Sequence, residues 1–427
     1  MARGSPHWNW ALAWAVLTPA ICGAQTLFVR PTGSDSNDGL SANTALRTIQ
    51  RAVNLVSLPG ATIYVCPGTY PEQVSLSSTT RRGTPTQPIR LVGDTAGTRF
   101  GVTPGAVTIS GGSSRAYGLV VQSSGDWSFE KLTVSGQTSG NAYCVSPNGG
   151  LTFDDCVFTV TPNWGLYVAF GQNLTVNSCT FIRNAASRYC TYLYQTGGNR
   201  MTITGNRVLL SGSSYLSTTQ RTGQLNTIIY GIIALPYVNT NNTVVIQNNA
   251  VSDATYGVYC YVPYASATNS VTISNNLAEG CYYGTYVYTP SPNPCTVTNN
   301  IVGNSYTSYI YTPSGTVDSF LVYNLTSNPC GSNWMSCGSL VAATKRNILF
   351  NQTPTYANAS DGDFTLTGTV GIDQGTSLGA ATTDILGAAR PTDGDGDGAG
   401  EFDLGPFESN AGRPRLKVAR WRETSAY

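Results

Sequence analysis

The sequence predicts an all-β solenoid in which short parallel strands stack coil upon coil into a β-helix. Two observations predict it. A polar, β-branched strand phrase ending in asparagine recurs along the middle of the chain, and a tyrosine-rich strand recurs in step with it. A sequence period of roughly 20–50 residues is the signature of stacked supersecondary units. The architecture follows from this repeat, whereas a reaction does not.

The asparagine phrase defines a first set of strands, the asparagine ladder. Its closing positions are 23, 27, 43, 27, 24 and 24 residues apart, and the two earliest copies close on cysteine. Asparagine tolerates tight turns, and identical amides one coil apart can hydrogen-bond, so these positions are expected to serve the scaffold. The copies are Leu151–Cys156, Leu174–Cys179, Met201–Asn206, Val244–Asn249, Val271–Asn276, Cys295–Asn300 and Phe320–Asn324.

The tyrosine-rich strands form a second set, the tyrosine ladder. Their starts are 25, 41, 26, 27 and 23 residues apart, so both ladders share one period and one long interval. That interval is explained by a single insertion at 210–227. The strands are Trp164–Phe170, Tyr189–Gln195, Tyr230–Pro236, Tyr256–Pro263, Tyr283–Pro290 and Tyr306–Pro313.

Strand alternation divides the tyrosine ladder into an interior and an exterior set. The interior set is small or aliphatic: Leu166, Val168, Leu193, Ile232, Ala234, Val258, Cys260, Val287 and Ile310. The exterior set is aromatic: Tyr167, Tyr192, Tyr194, Tyr259, Tyr261, Tyr286, Tyr288, Tyr309 and Tyr311. The pattern predicts two outward tyrosine columns, interrupted at Ile233 and Leu235.

The segments outside the coils have their own signals. Residues 1–24 combine an apolar run with a small-residue cleavage site after Ala24, which predicts a secretory signal; a retained anchor is the alternative, although the run is short for a span. Residues 25–73 hold a strand and a helix, Thr44–Leu58, expected to cap the first coil. Coils are expected at 74–350, a closing segment at 351–409 and a basic tail at 410–427.

Composition excludes several classes of function. The net charge is +1 and only 11% of residues are charged, which argues against nucleic acid as a partner. The single histidine, His7, lies in the signal, so the mature chain lacks Ser-His-Asp, Cys-His and most zinc chemistries. After signal removal no stretch is long and apolar enough to span a membrane.

Eleven cysteines minus the one in the signal leave ten, an even number that favours disulfides in an oxidising compartment. Cys330 and Cys337 bracket a short loop and form the best local pair. Cys156 and Cys179 occupy one position in successive coils, where they could bridge or stack as small buried side chains.

The segments Val29–Val74 and Asp384–Glu408, together with the coil repeats, resemble the exported right-handed parallel β-helix proteins of the pectate-lyase-like superfamily, in an uncharacterised bacterial branch. The resemblance covers nearly the whole mature chain. It implies a single-stranded right-handed parallel β-helix. It does not specify an activity, because that superfamily includes lyases, hydrolases, epimerases and non-catalytic adhesins.

An Asp/Gly-rich loop near the C-terminus is a candidate calcium site. Asp393, Asp395 and Asp397 alternate with glycine, and Glu401 follows, which approaches the first half of an EF-hand loop. The bidentate glutamate of that motif is missing, because Leu404 occupies its position. A structural calcium and a plain acidic turn both fit this sequence.

Candidate catalytic residues are sparse. A lyase of this fold needs a strong base, and Arg183, Arg188, Arg207 and Arg221 lie on coils or the insertion near the tyrosines. A hydrolase needs two carboxylates across a groove. Asp253 and Glu279 fall at similar places in consecutive coils, although each also suits a solvated turn.

The sequence therefore favours an exported protein that engages an extracellular polysaccharide along its outward tyrosines, with a lyase as the preferred enzymatic option over a glycoside hydrolase. The rival is a non-catalytic surface or structural β-helix whose tyrosine stacks stabilise a sheet face alone. A secreted or cell-surface location, by bacterial export, follows from the predicted signal.

Overall fold

The computed structural model describes residues 24–77, 83–111, 114–122, 125–145, 149–160, 163–183, 187–197, 200–210, 228–237, 241–265, 269–324, 338–359 and 362–410. This part of the chain folds as an all-β parallel solenoid of about nine turns. Its single described helix has seven residues, and none in this part is long and apolar enough to span a membrane. Cys330, Cys337 and Arg221 lie outside the described residues. So do the predicted signal except Ala24, the insertion except Leu210, and the predicted basic tail except Asn410.

Three parallel ladders build the coils. The asparagine ladder comprises Thr26–Val29, Thr62–Val65, Ile89–Gly93, Trp127–Glu130, Leu151–Asp154, Leu174–Asn177, Arg200–Thr204, Thr243–Gln247, Ser270–Ser274 and Cys295–Thr298. The tyrosine ladder comprises Val74–Leu76, Leu119–Gln122, Gly140–Val145, Trp164–Gly171, Tyr189–Gln195, Tyr230–Pro236, Tyr256–Tyr261 and Tyr283–Tyr288.

The third ladder follows the asparagine ladder in each coil, and the sequence analysis missed it. It comprises Gly68–Tyr70, Val107–Ser110, Thr133–Ser135, Val157–Val160, Thr180–Arg183, Arg207–Leu210, Ala250–Ser252, Leu277–Glu279 and Ile301–Ser305. Two long strands, Thr307–Asn324 and Gly338–Phe350, continue through all three ladders. A separate antiparallel pair joins Tyr356–Asn358 to Asp363–Leu366.

The solenoid interior is a continuous apolar core. All nine tyrosine-ladder residues predicted to face it are buried. Inward rings also stack between coils, with centroids 5.0 Å apart for Phe129 and Phe153 and 5.1 Å apart for Phe158 and Phe181. Because each coil buries its apolar residues against the next, no coil has a separate core.

The two neighbouring asparagines at the end of each asparagine phrase have different structural roles. The second of each pair is buried, and its side-chain oxygen accepts from both the backbone N–H and the amide of the preceding coil. Asn206 donates to Asn249 at 2.9 and 3.0 Å, Asn249 to Asn276 at 3.0 and 2.9 Å, and Asn276 to Asn300 at 3.0 Å twice. The amide ladder expected from the sequence is thus present.

The first asparagine of each pair makes the turn. Asn248, Asn275 and Asn299 have φ of 55°, 54° and 55°, the left-handed region that asparagine tolerates better than most residues. In other coils this turn position holds Lys131, Asp155, Ser178, Ser319 and Asn347, also at positive φ, or Gly205. The left-handed turn is therefore a property of the coil rather than of asparagine alone.

Cysteines replace the buried asparagines in two coils. Cys179 Sγ donates to the Phe153 carbonyl at 3.5 Å and Cys156 Sγ to the Phe129 carbonyl at 3.3 Å, as Asn206 donates to the Val176 carbonyl. All eight cysteines among the described residues are free and buried, so the disulfides expected from the even count are not found there. Cys156 and Cys179 stack as thiols rather than bridge.

The N-terminal helix is shorter than predicted, spanning Ile49–Leu55. Thr48 accepts from Arg51 N–H at its N-terminus, and Glu72 accepts from the N–H groups of Ile49 and Gln50. The coils begin earlier than the predicted residue 74, because Thr26–Val29 already pairs with Thr62–Val65.

The closing segment runs back along the solenoid as a strap, residues 376–384. Its backbone bonds to the turn asparagines of successive coils: Thr376 with Asn299, Ala381 with Asn275 and Thr383 with Asn248. The outer side of the third ladder packs against the same region through an apolar cluster of Leu277, Ile301, Leu321, Tyr323, Phe364, Leu366, Ile372, Leu404 and Phe407.

A buried ionic group secures the end of the closing segment. Arg390 Nε lies 3.4 Å from Glu408 Oε2, and Arg390 also donates to the Gly405 carbonyl. Burial raises the pKa of Glu408 to about 7 and lowers that of Arg390, although each group attracts the other's charge. Desolvation therefore outweighs the attraction at both partners.

Replacing Asn276 by alanine should lower the free energy of unfolding by about 2–4 kcal/mol, because the Asn249 donors and the Ile246 carbonyl lose their buried partner. Urea unfolding followed by circular dichroism measures the change. Asn177→Ala removes a half-buried surface amide and should cost less. Equal losses in the two variants would contradict a special role for the amide ladder.

The free energy of unfolding should fall as the pH rises from 4.5, the ordinary pKa of Glu408, to about 7, the pKa of Glu408 in the folded chain. In this window the folded chain binds more protons than the unfolded chain, so its stability is lost as Glu408 ionises. Urea midpoints at pH 5 and pH 8 check this. Glu408→Gln should flatten the dependence; an unchanged slope in that variant would contradict the assignment.

Candidate functional site

The outward tyrosines of the tyrosine ladder stack ring on ring along the coil axis. In the first column, ring centroids are 5.0 Å apart for Tyr167 and Tyr192, 4.7 Å for Tyr259 and Tyr286, and 4.8 Å for Tyr286 and Tyr309. The column also extends to Tyr143 and Tyr117, which the sequence analysis did not assign. Strand register sets the stacking from Tyr143 to Tyr192 and from Tyr259 to Tyr309, because these rings lie opposite each other in the ladder. Tyr117 lies just before its strand and stacks on Tyr143 from there.

The second column contains Tyr194, Tyr261, Tyr288 and Tyr311. Centroids are 5.0 Å apart for Tyr261 and Tyr288 and 5.2 Å for Tyr288 and Tyr311. Leu235 lies opposite Tyr194 in the strand register and interrupts the column of tyrosines, but Tyr237 lies 4.7 Å from Tyr194 and 6.3 Å from Tyr261 and so bridges the interruption. Sequence alternation missed Tyr237 because it lies just beyond the strand end at Pro236.

A third column stands at the start of the same strands. Tyr189, Tyr230, Tyr256 and Tyr283 stack at 5.0, 4.9 and 4.8 Å. This column meets the first edge to face, for example at 5.3 Å and 90° between Tyr256 and Tyr259. The sequence already contained a pattern that indicates this column, because each of these tyrosines is the first residue of its strand. The three columns together are called the tyrosine face.

Glycine follows the third-column tyrosine in three coils because the backbone there approaches the third ladder. A Cβ on Gly231 would lie 2.5 Å from Val251 Cγ1, and one on Gly284 would lie 2.2 Å from Val302 Cγ1. At Gly257 the nearest atom would be the Gly284 carbonyl oxygen, at 2.5 Å. Any larger residue would push the tyrosines out of register.

The stacked geometry decides which part of each ring meets solvent. Interplanar angles within the columns are 8–11° for several pairs, so ring faces lie against each other and ring edges point outward. In these pairs each stacked face is therefore covered by a neighbouring ring. The rings are half-buried, and burial raises the pKa of Tyr256 to about 12, which keeps the phenol neutral.

Charged side chains are absent from the described strands of the tyrosine ladder through Tyr288. Arg188 is exposed and directly precedes Tyr189, so it lies at the border of the tyrosine face. Arg183 is fully buried. Arg207 lies in the third ladder, where burial lowers its pKa to about 10 while Asp384 and Asp155 oppose that shift. Of the predicted arginines that the structure describes, only Arg188 therefore lies at the tyrosine face.

The two predicted carboxylates are also buried. Asp253 donates its backbone N–H to the Glu279 carbonyl at 2.9 Å, so the residues are neighbours in successive coils. Glu279 accepts from Tyr323 Oη at 2.7 Å and from Asn304, beneath the closing segment. Burial raises the pKa of the Cys281 thiol to about 12, and the charges of Asp253 and Glu279 add to that rise while Arg183 opposes it. These residues share an interior region rather than a solvent-facing groove.

The Asp/Gly-rich loop gathers a different acidic set from the predicted one. Carboxylate oxygens of Asp373, Asp393 and Asp395 lie within 4.8 Å of one another. Asp373 was not predicted, because it lies twenty residues before Asp393; its Oδ1 is buried without a hydrogen bond from the described residues. Asp397 accepts from Ala399 N–H, and Glu401 pairs with Thr392 through backbone, so both lie outside the group.

Two family models match the chain in segments that overlap at residues 212–214. The model described as right handed beta helix region matches residues 105–214, and the model described as periplasmic copper-binding protein (NosD) matches residues 212–351. The first agrees with the three parallel ladders. Over residues 105–214 the chain is thus similar to right-handed β-helix proteins, and the residues that the structure describes form a parallel β-helix.

Solved structures similar to this β-helix protein include several carbohydrate-active enzymes. Pectate lyase Pel9A shares 16% identity over 91% of this chain and 98% of its own, with a TM-score of 0.47. A rhamnogalacturonan lyase shares 14% sequence identity over 77% of this chain and 88% of its own, with a TM-score of 0.48. A GH136 lacto-N-biosidase from Eubacterium ramulus shares 11% sequence identity over 76% of this chain and 68% of its own, with a TM-score of 0.35. No curated protein matches the β-helix protein significantly.

Proposed function

We propose that this protein is exported and binds an extracellular polysaccharide along its tyrosine face. The observation that carries the proposal is the tyrosine face itself, an uncharged aromatic surface kept in register over successive coils. Aromatic side chains with a polar tip suit ligands that have both apolar and hydroxyl surface, and polysaccharides have both. A linear track also suits a linear ligand.

Binding without catalysis is the version that this geometry favours. A lyase needs a base and a positive group beside the substrate. The described strands of the tyrosine ladder through Tyr288 carry no charged side chain, and the exposed arginines at their border are Arg188, before Tyr189, and Arg115, two residues before Tyr117. A hydrolase needs a pair of carboxylates, and Asp253 and Glu279 are buried elsewhere. The rival function, a structural solenoid with no ligand, rests on the same stacks acting on stability alone.

Export is supported by the apolar run and cleavage site in residues 1–24 and by the periplasmic description of one matching family. The copper binding in that description gains no support from this chain. The matched residues 212–351 contain no histidine and one methionine. The described thiols there, Cys260, Cys281 and Cys295, are buried, and burial raises the pKa of each.

The N-terminal helix is proposed as a cap for the first coil. The Gln50 side chain donates to the Ser75 carbonyl at 3.1 Å and accepts from its N–H at 2.6 Å. It thereby occupies backbone groups at the edge of strand Val74–Leu76. A covered edge resists pairing with another chain.

A structural calcium ion is proposed for the Asp/Gly-rich loop, held by Asp373, Asp393 and Asp395. Calcium prefers several carboxylate oxygens on a flexible loop, and the buried Asp373 Oδ1 is free of other described donors. Burial and the neighbouring carboxylates raise the pKa of Asp373, a cost that a divalent cation would relieve.

The double variant Tyr259→Ala/Tyr286→Ala should weaken binding to a retained polysaccharide roughly tenfold or more, because two stacked rings are removed. Glycan-array screening of the mature chain identifies the ligand, and calorimetry measures the affinity. Thr152→Ala/Thr175→Ala changes paired half-buried positions on the asparagine ladder and should leave affinity unchanged.

Two results would contradict this function. If the tyrosine variant is folded by circular dichroism yet binds as well as the wild type, the tyrosine face is not the binding surface. If absorbance of unsaturated products rises when the protein is mixed with a uronan panel, with or without calcium, the protein is a lyase and binding alone is an insufficient description.

Calcium should raise the thermal unfolding temperature of the wild type and not that of Asp373→Asn, because the ion binds only the folded loop. Asp397→Asn is the matched control, since Asp397 lies outside the three-carboxylate group. Differential scanning calorimetry with calcium, magnesium or chelator checks this. An identical calcium response in the Asp373 and Asp397 variants would refute the proposed ligands.

A further inference from the structure

We propose that the ligand is an uncharged linear glycan that lies lengthwise on the tyrosine face, with its hydroxyl groups hydrogen-bonded to the outward phenols of the tyrosine columns. This inference rests on the proposed function and specifies the ligand class and the mode of contact. It differs from sugar binding by face-on stacking, because the ring faces within the columns are already in contact with each other.

Ring edges and phenol oxygens are what the columns offer to a ligand. Successive rings in the first column are nearly parallel, with 11° between Tyr259 and Tyr286 and 22° between Tyr286 and Tyr309. At centroid separations of 4.7 and 4.8 Å, a sugar ring cannot enter between them. Contact with these coils must therefore be made across the ring edges.

The phenols are available for such contact. Tyr259, Tyr286 and Tyr309 make no side-chain hydrogen bond within the part of the chain that the structure describes, in contrast to Tyr70 and Tyr323, whose hydroxyls are bonded. A phenol both donates and accepts, as a sugar hydroxyl does. Each coil thus presents groups that match a polyhydroxylated chain.

The charge of the surface selects the ligand class. A uronan carries a carboxylate on each residue, and a carboxylate that loses water without gaining a cation is destabilised. The described strands Tyr230–Pro236, Tyr256–Tyr261 and Tyr283–Tyr288 carry no Lys or Arg. Arg188 lies at the border of one coil only. A neutral chain meets no such penalty.

The repeat of the columns favours a lengthwise orientation. Coils advance by about 4.8 Å, so the first column from Tyr117 to Tyr309 spans about 34 Å over eight coils. Except in the coil of Ile233, each coil contributes one phenol to this column, at a spacing close to the length of a single sugar residue in an extended chain. A glycan crossing the columns at right angles would meet only the few tyrosines of one coil.

The test separates the phenol from the ring. Tyr259→Phe/Tyr286→Phe keeps the stacked rings and removes only the hydroxyls. We expect it to weaken binding to neutral linear glucan, xylan, mannan and chitin oligomers about fivefold or more for those that bind the wild type. Tyr64→Phe is the matched control, because Tyr64 lies on the asparagine ladder beside Arg99. Calorimetry with uronan oligomers in parallel, at low and high salt, tests the ligand class.

The outcomes distinguish this inference from the function on which it rests. If neutral oligomers bind and the alanine double variant weakens them but the phenylalanine variant does not, the tyrosine face binds glycan through its rings and the phenol contact is wrong. If the wild type binds uronans more tightly than neutral glycans, with salt-dependent affinity, the ligand class is wrong. If neither class binds, the proposed function fails together with this inference.

Discussion

The left-handed turn between the asparagine ladder and the third ladder is the constraint on which the rest of the fold depends. It recurs at one position per coil, from Lys131 to Asn347, and from Lys131 to Asn299 it directly follows the end of the asparagine-ladder strand. Directly after it, the buried Asn206–Asn249–Asn276–Asn300 amides bond across coils and satisfy backbone donors that a turn would leave unpaired. Turn and amide ladder together keep successive coils in one register.

Both ladders keep their register in the same coils. Met201, Val244, Val271 and Cys295 align in the asparagine ladder, and Tyr259 and Tyr261 lie opposite Tyr286 and Tyr288 in the tyrosine ladder. Aligned rings at about coil spacing stack with their faces together. Parallel register thus gathers separate tyrosines into rows of ring edges and hydroxyls, interrupted in one coil by Ile233 and Leu235.

The repeat made the fold and the interior residues predictable, because a period shared by two strand types restricts the chain to stacked coils. The third ladder was not predictable with the same ease. Its strands, such as Ala250–Ser252 and Leu277–Glu279, are only three residues long and carry no shared aromatic or amide signal. Long-range placement explains the other differences: Asp373 joins Asp393 only through folding of the closing segment. Arg183, Asp253 and Glu279 are buried, but a charged residue in the sequence looks the same whether its side chain is buried or exposed in the fold.

The strap at 376–384 has a consequence for how the solenoid comes apart. A stack of coils held only by neighbours would fray from its free end one coil at a time. The strap bonds in turn to the coils of Asn299, Asn275 and Asn248, and Gln247 also donates to the Gly379 carbonyl. None of these coils can detach without releasing a chain that holds the others. Because residues 376–384 hold several coils at once, we expect these coils to unfold together rather than one after another from the free end.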